Sequence, residues 1–419
     1  MLKLKAPIGT KDVLVTDSYK WHYIEDAIRS VTRCFGYREI RTPVFEHTEL
    51  FMRGVGDTTD IVQKEMYTFT DKGGRSITLK PEGTAGAVRS FIEHGLSSTP
   101  QPVKMYYISP IFRYERPQAG RLREHHQFGI EVFGSQSATI DAEIIALAYN
   151  LLTKLGIEGL SLYINSIGCP DCRPDYNKKL SGYIKDNVDL MCDTCKDRIA
   201  RNPLRVLDCK EEGCRKIIAG APRTVENLCD DCASHFEALK ASLDNLGIKY
   251  QVNPLIVRGL DYYTKTVFEI VSDSLGAQST VCGGGRYDRL VASLGGPDVP
   301  GAGFGMGLER LLLILEKQGK LPEEPPVTEI YIASAGENAA VYAYKLTNEL
   351  RKAGISCECD HMNRSLSAQM KYANKVNARK VVIIGDDEMQ KGKFKIKDMA
   401  TGQEDYISKE ELMAYSGGK

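Results

Sequence analysis

Apolar residues first recur with helical spacing at Ile24, Ala27, Ile28, Val31 and Phe35, and Gly36 follows, which predicts an amphipathic helix over residues 19–35. The next stretch, Glu39-Ile-Arg-Thr-Pro-Val-Phe45, reads as extended, and Pro43 keeps it out of a central ladder position. Met105–Phe112 and Gln127–Phe133 are strand-like, with a polar loop around Gln118–Arg123 between them. Ile144, Ala148, Leu151 and Leu155 share one face of a helix over 141–155, closed by Gly156. Periodicity then fades between Cys169 and Cys232 and resumes beyond, as it does around an inserted module. A helix over Leu308–Glu316 leads to Gly319-Lys-Leu-Pro-Glu-Glu-Pro-Pro326, a linker that cannot be helical. After it come Ile330–Ala333 (strand), Ala339–Lys352 (helix), Ile355–Glu358 (strand), Leu366–Asn377 (helix) and Val381–Ile384 (strand). That alternation predicts a small, mostly parallel sheet with helices on its faces.

A length of 419 residues leads us to expect two or three domains. Lys plus Arg and Asp plus Glu each number 55, so the formal net charge is zero and a uniformly basic nucleic-acid coat is excluded. The apolar runs Leu311–Leu315 and Val381–Ile384 fall far short of the ~20 residues that span a bilayer, and Met1–Pro7 holds no signal-like apolar core. The expectation is a soluble cytoplasmic protein without membrane contact. Its twelve cysteines are then thiols or metal ligands in preference to disulfides.

Four segments carry chemistry. Arg113, Arg116, Arg121 and Arg123 crowd a strand–loop–strand frame, where guanidinium forks can converge on a polyphosphate; charge alone fits a solvated hairpin tip better. Gly301-Ala-Gly-Phe-Gly-Met-Gly-Leu-Glu-Arg310 alternates glycine into a helix start, letting a ligand approach backbone while Arg310 projects from the first turn. Leu79-Lys-Pro-Glu-Gly-Thr84 is a turn holding Glu82 and Thr84 at a fixed angle. Val257-Arg-Gly-Leu-Asp-Tyr-Tyr-Thr264, with Cys282-Gly-Gly-Gly-Arg-Tyr-Asp288, supplies the arginine, carboxylate and tyrosine pair that a polar aromatic side chain would need around it.

Taken together and in this order, the segments resemble the histidyl-tRNA synthetases, a branch of the class II aminoacyl-tRNA synthetases. Arg258-Gly-Leu-Asp-Tyr-Tyr263 and Phe112-Arg-Tyr-Glu-Arg-Pro-Gln118 are the most specific matches, and the likeness runs from Pro7 to the C-terminal module. The resemblance implies an α+β fold: a class II antiparallel sheet with flanking helices over 1–168 and 233–320, interrupted by a Cys-rich insert at 169–232. A linker at 321–327 would lead to an α/β anticodon-binding domain at 328–419. It implies ligation of L-histidine to tRNA(His) through an adenylate, with ATP and Mg2+ as substrate complex, by a homodimer packed about the motif containing Pro43.

Residue by residue, the resemblance places Arg113 and Arg258 on the α-phosphate, Glu115 by the adenine, and Arg121 and Arg310 near the outer phosphates. Glu82, Gly83, Thr84, Gln127 and Glu131, with Arg258, Tyr262 and Tyr263, would form the histidine site. Arg116, Gln118 and Arg123 become candidates for the tRNA acceptor end. Lys391, Lys393, Lys395 and Lys397 alternate, so on a strand they share a face; such a stripe commonly protects an edge strand, and the resemblance offers it to the anticodon. Lys80 stands where relatives often carry arginine. A regulatory, non-catalytic relative of the same core would have lost the phosphate arginines and the C-terminal module.

The insert departs from the usual family pattern by its thiols. Cys169, Cys172, Cys192 and Cys195 make C-x2-C-x19-C-x2-C, within the spacing of a four-thiolate zinc site. Cys209, Cys214, Cys229 and Cys232 offer a second set, and the spacing leaves open which half-sites pair. A small insert with little apolar material would gain from such Zn2+ clips. Cys34 is expected in the core, while Cys282, Cys357 and Cys359 give no signal.

Overall fold

Alternation along the strands decides how the main sheet is used. In Glu124–Phe133 the even residues Phe128, Ile130 and Val132 turn to one face, together with Tyr106, Phe268, Ile270, Phe304 and Met306 of neighbouring strands. Helices Ser18–Cys34, Ala138–Lys154, Asp230–Asn245 and Leu308–Lys317 cover that face, and Ile24, Ile28, Ile144, Ala148 and Leu151 fill the interface. Burying each such side chain stabilises by about 1.5–3 kcal/mol, which makes this layer the rigid base of the unit. The odd residues of the same strand, among them His125, Gln127, Gly129 and Glu131, are left for the opposite face.

In this computed structural model, residues 4–56, 59–118, 120–278, 280–326 and 328–415 are described. Residues 1–3, linker residue 327 and the last four residues of the expected 328–419 domain lie outside them. The chain divides into two compact units, Met1–Pro322 and Glu323–Lys419.

The sheet of the first unit has eight strands, in the order Arg38–Glu39, Val103–Phe112, Glu124–Phe133, Gly301–Gly307, Thr280–Arg286, Thr264–Ser272, Leu160–Ser166 and Gln251–Val252. Its six central strands run antiparallel, as expected, but each edge adds a two-residue parallel strand, so the sheet is mixed. A three-stranded antiparallel sheet, Phe45–His47, Ser76–Leu79 and Tyr67–Thr70, stands beside it in the chain order. Cys34 is exposed at the end of its helix, not in the core, because the buried stripe there runs through Ile24, Ala27, Ile28 and Val31.

The Cys-rich segment is richer in apolar packing than its composition suggested. Helices Arg173–Lys185, Asp193–Arg201 and Glu212–Ile218 and the Pro203–Val206 turn bury Tyr176, Leu180, Ile184, Ile199, Leu204, Val206 and Ile218 in one cluster with Val88, Phe91 and Tyr287. The C-terminal unit has the strand order Cys357–Cys359, Ile330–Ser334, Lys380–Ile384, Lys393–Asp398, Glu404–Ser408. The first three are parallel; the last two add an antiparallel hairpin that the βαβαβ reading did not include.

Candidate active site

The odd face of the main sheet holds a cavity of about 340 Å³. Among its walls are Arg113 and Arg121 from the loop after Val103–Phe112, Arg310 from the first turn of Leu308–Lys317, and Arg258 from the loop before Thr264–Ser272. Four cations from separated segments thus meet in one space. Each is anchored: Arg113 Nε donates to the Pro81 carbonyl (2.7 Å), and Arg310 Nη1 and Nε donate to the carbonyls of Thr280 (2.8 Å) and Gly120 (3.2 Å). Arg121 pairs with Glu115 and Arg258 with Glu269. Burial holds the Arg113 and Arg310 guanidiniums below the ordinary arginine range, and the other arginines repel them further. A bound polyanion relieves both costs.

Glycine clears the floor. On Gly301–Gly307 the alternate positions face the cavity side: a Cβ on Gly303 would meet Glu131 and the Ile130 carbonyl, one on Gly305 the Gln127 amide, and one on Gly301 the Tyr287 ring. On Thr280–Arg286, a Cβ at Gly283 would strike the Arg258 guanidinium. The Tyr107 ring lies where Gly83 and Gly129 have no side chain. The glycine pattern therefore admits side chains of neighbouring segments as much as it admits a ligand.

Beside the arginines lies the second half of the cavity, walled by Glu82, Thr84, Tyr107, Gln127, Tyr262, Tyr263 and Tyr287. Tyr262 and Tyr263 have ring centroids 4.7 Å apart, and Tyr287 stands edge-on to Tyr262 at 5.5 Å. Glu82 accepts from the amides of Thr84 (2.8 Å) and Ala85 (2.7 Å), capping the helix Thr84–Glu93. Both its oxygens are engaged, so it enters the cavity in a fixed orientation.

Two members of the expected histidine set sit one layer back. Glu131 and Gly83 do not line the cavity. The Glu131 carboxyl takes hydroxyl bonds from Thr84 (2.8 Å), Tyr107 (3.2 Å) and Tyr287, and so fixes three wall residues from behind. Burial, with the neighbouring Glu82 charge, pushes it up to about 8. Lys80 is also out of reach of the cavity lining; its Nζ bonds Thr42 at 3.3 Å, and burial lowers it to about 8.

Other wall residues were given no role from sequence: His125, Lys210, Thr280 and Tyr107, and Cys282 and Tyr287 of the segment Cys282–Asp288. Tyr107 pairs across the ladder with Gly129, so strand register was the signal for it. Burial, with the charges of Arg113 and Arg310, drives the His125 imidazole down to about 3, so it is neutral at physiological pH.

A histidyl-tRNA synthetase family model matches residues 9–170 and 197–311. A histidine–tRNA ligase of Caldanaerobacter subterraneus is 59% identical over 408 residues, 97% of this chain and 98% of its own. The chain belongs to the histidyl-tRNA synthetase family. One from Acetivibrio thermocellus is 60% identical over 411 residues, 98% of each chain. The crystal structure of apo Staphylococcus aureus histidyl-tRNA synthetase superposes with a TM-score of 0.85 at 39% identity, covering 98% of this chain and 99% of that one. An anticodon-binding domain model matches residues 329–416. The family uses ATP and Mg2+.

Other features of this family member differ from expectation. Arg116 and Gln118 are exposed on the loop, but the Arg123 guanidinium stacks on Tyr114 (3.8 Å) and donates to the Glu115 carbonyl, bracing the loop from within. Lys391 ends the helix Asp386–Lys391, so only Lys393, Lys395 and Lys397 share the strand face. Of these, Lys395 (2.6 Å) and Lys397 (3.5 Å) pair with Glu404 on the next strand, which neutralises much of the stripe.

The cysteines group by nesting, not in sequence order. Cys169 and Cys172 meet Cys229 and Cys232, while Cys192 and Cys195 meet Cys209 and Cys214; within each set all sulfurs lie within 4.8 Å of one another. The Sγ separations of Cys169 from Cys172 and Cys229, and of Cys192 from Cys209, are each 3.8 Å. Four sulfurs tetrahedrally placed around zinc stand about 3.8 Å apart, whereas a disulfide brings two to about 2.05 Å. The Cys169 amide donates to Cys172 Sγ (3.3 Å) and the Cys192 amide to Cys214 Sγ (3.2 Å), as donors to a thiolate would.

Both clusters abut the Arg258–Tyr263 segment. Arg173, next to Cys172, donates to the Tyr263 carbonyl (2.6 Å). Arg205 donates to the Arg258 carbonyl (3.1 Å), and Asn202 to Asp261 (2.8 Å).

Proposed function

We propose that the chain ligates L-histidine to tRNA(His) in two steps in this cavity. A carboxylate oxygen of histidine attacks the α-phosphorus of ATP, pyrophosphate leaves, and the tRNA 3′-hydroxyl then takes the histidyl group as AMP departs. The carrying observation is the convergence of four arginines on one face of a cavity whose other face is a tyrosine-walled slot. Arg113 and Arg258 flank the α-phosphate and stabilise charge on its equatorial oxygens without reorganising. Arg121 and Arg310 hold the outer phosphates, where bound Mg2+ would neutralise charge, and Glu115 faces the adenine. Gln127, Thr84 and Glu82 meet the histidine ammonium and imidazole, Tyr262 and Tyr263 wall the ring, and Glu131 orients that wall.

The same reading assigns tRNA contacts: Arg116 and Gln118 at the acceptor end, and the 328–415 unit at the anticodon, where Lys393 of the stripe makes no ion pair among the described residues. It includes a homodimer, supported by exposed Val44, Phe45, Met52 and Phe69 around the small sheet next to Pro43. It includes one structural Zn2+ per cysteine cluster, supported by the sulfur spacing. It includes a cytoplasmic location, a reducing compartment in keeping with the free cysteines. Among the described residues no helix is long and apolar enough to cross a membrane.

Pyrophosphate exchange into ATP, run with each amino acid, tests the assignment. Exchange with histidine alone is expected. Exchange with another amino acid makes the chain a different class II synthetase, and exchange with none makes it a non-catalytic relative.

A further inference from the structure

The insert sends one cation into the nucleotide cavity. Lys210 stands one residue beyond Cys209, between the Pro203–Val206 turn and the Glu212–Ile218 helix, and lines the cavity with Arg113 and Arg121. It also lines an adjoining cavity of about 480 Å³ that shares Arg113, Glu115 and Arg121 and has Cys192 and Cys209 in its wall. Arg121 and Arg258 are each held by a carboxylate, whereas Lys210 is exposed and makes no hydrogen bond or ion pair among the described residues.

An ammonium on a four-carbon stem needs a fixed backbone to act at a defined place. That backbone is tied on both sides. Cys209 Sγ lies 3.8 Å from Cys192 Sγ, and its amide donates to the Val206 carbonyl (3.0 Å). Upstream, Arg205 bonds the Arg258 carbonyl and, with Arg198, reaches Asp60 (3.8 and 3.3 Å).

We propose that Lys210 is a further ligand of the nucleotide's phosphates, carried into place by the inner cysteine cluster, so that metal at that cluster sets the affinity for ATP. The metal half rests on the reading of the inner cluster as a zinc site. Phosphate of the nucleotide is favoured over nucleic acid because Lys210 shares its space with the arginines read as ATP ligands.

The test uses the full chain, histidine-dependent pyrophosphate exchange and elemental analysis for zinc. Lys210→Ala should keep its zinc and raise the KM for ATP by about tenfold, the loss of one charge-assisted contact, with the KM for histidine unchanged. Lys210→Arg should recover most of it. Cys209→Ser should lose one zinc and show the same ATP defect; if it does not fold, wild-type protein stripped with chelator and titrated with zinc gives the same readout. An unchanged KM for ATP in Lys210→Ala overturns the lysine assignment, as does a defect confined to the KM for tRNA. Normal ATP binding after loss of the inner zinc overturns the coupling. Wild-type protein without zinc sinks the metal reading on its own, whatever Lys210→Ala does.

Discussion

Arg258 faces the cavity with its guanidinium already hydrogen-bonded to Glu269, a carboxylate on the following strand that also accepts from Thr280 Oγ1 at 3.2 Å. The cation is thereby aimed before any substrate arrives. Arg258→Ala should lower the rate of histidyl-adenylate formation by on the order of 10²–10³ while weakening ATP binding far less. Single-turnover adenylation alongside equilibrium ATP binding measures both, and near wild-type activation would remove Arg258 from the α-phosphate. Glu269→Gln should cost about tenfold in the same step, since the fork stays but its aim loosens.

The Glu131 carboxyl titrates at about 8 in the fold against an ordinary 4.5. Between those values the folded chain holds a proton that the unfolded chain has released, so stability falls as pH rises through this window. Denaturant midpoints should drop between pH 5.5 and pH 8.5 in the wild type. Glu131→Gln, which keeps the neutral shape, should flatten that slope, and an equal slope in the variant would assign the effect elsewhere.

Gly303 has no room for a methyl group between the Ile130 carbonyl and Glu131. Gly303→Ala should destabilise the first unit by about 1–3 kcal/mol through forced strand displacement. The same change at Gly307, where nothing lies within 4 Å of the added atom, should cost much less. Parallel denaturant curves decide it, and equal losses would show that backbone flexibility, not space, is what glycine provides there.

Arg173 joins the outer cysteine cluster to the Tyr263 carbonyl. Arg173→Ala should raise the KM for histidine several-fold and leave that for ATP near its original value, because it frees the tyrosine wall and not the arginines. A uniform loss of both would point to general unfolding of the insert.

Much of this was legible beforehand. The helix Ser18–Cys34 and the strand pair 103–112 and 124–133 were readable, because burial on one face imposes a period that a single sequence displays. The cysteine pairing was not, since the spacing within each half-site does not name its partner and only the path of Arg173–Lys185 and Asp193–Arg201 decides which meet. Glu404 was invisible as the partner of Lys395 and Lys397 because that depends on cross-strand register. Glu131 was placed among the histidine ligands by resemblance; that its carboxyl bonds Thr84, Tyr107 and Tyr287 depends on strand register and packing that the sequence does not display. Lys210 carried no pattern of its own.

The outer four sulfurs lie within 4.8 Å of one another, so the residues where the chain leaves the main sheet stand beside those where it starts back, 60 positions later. Everything between them is a loop drawn shut at its neck, like a purse. With zinc held there, as proposed, a protease cut inside the purse would leave both ends still gathered at the drawstring, and the strands beneath would feel no slack.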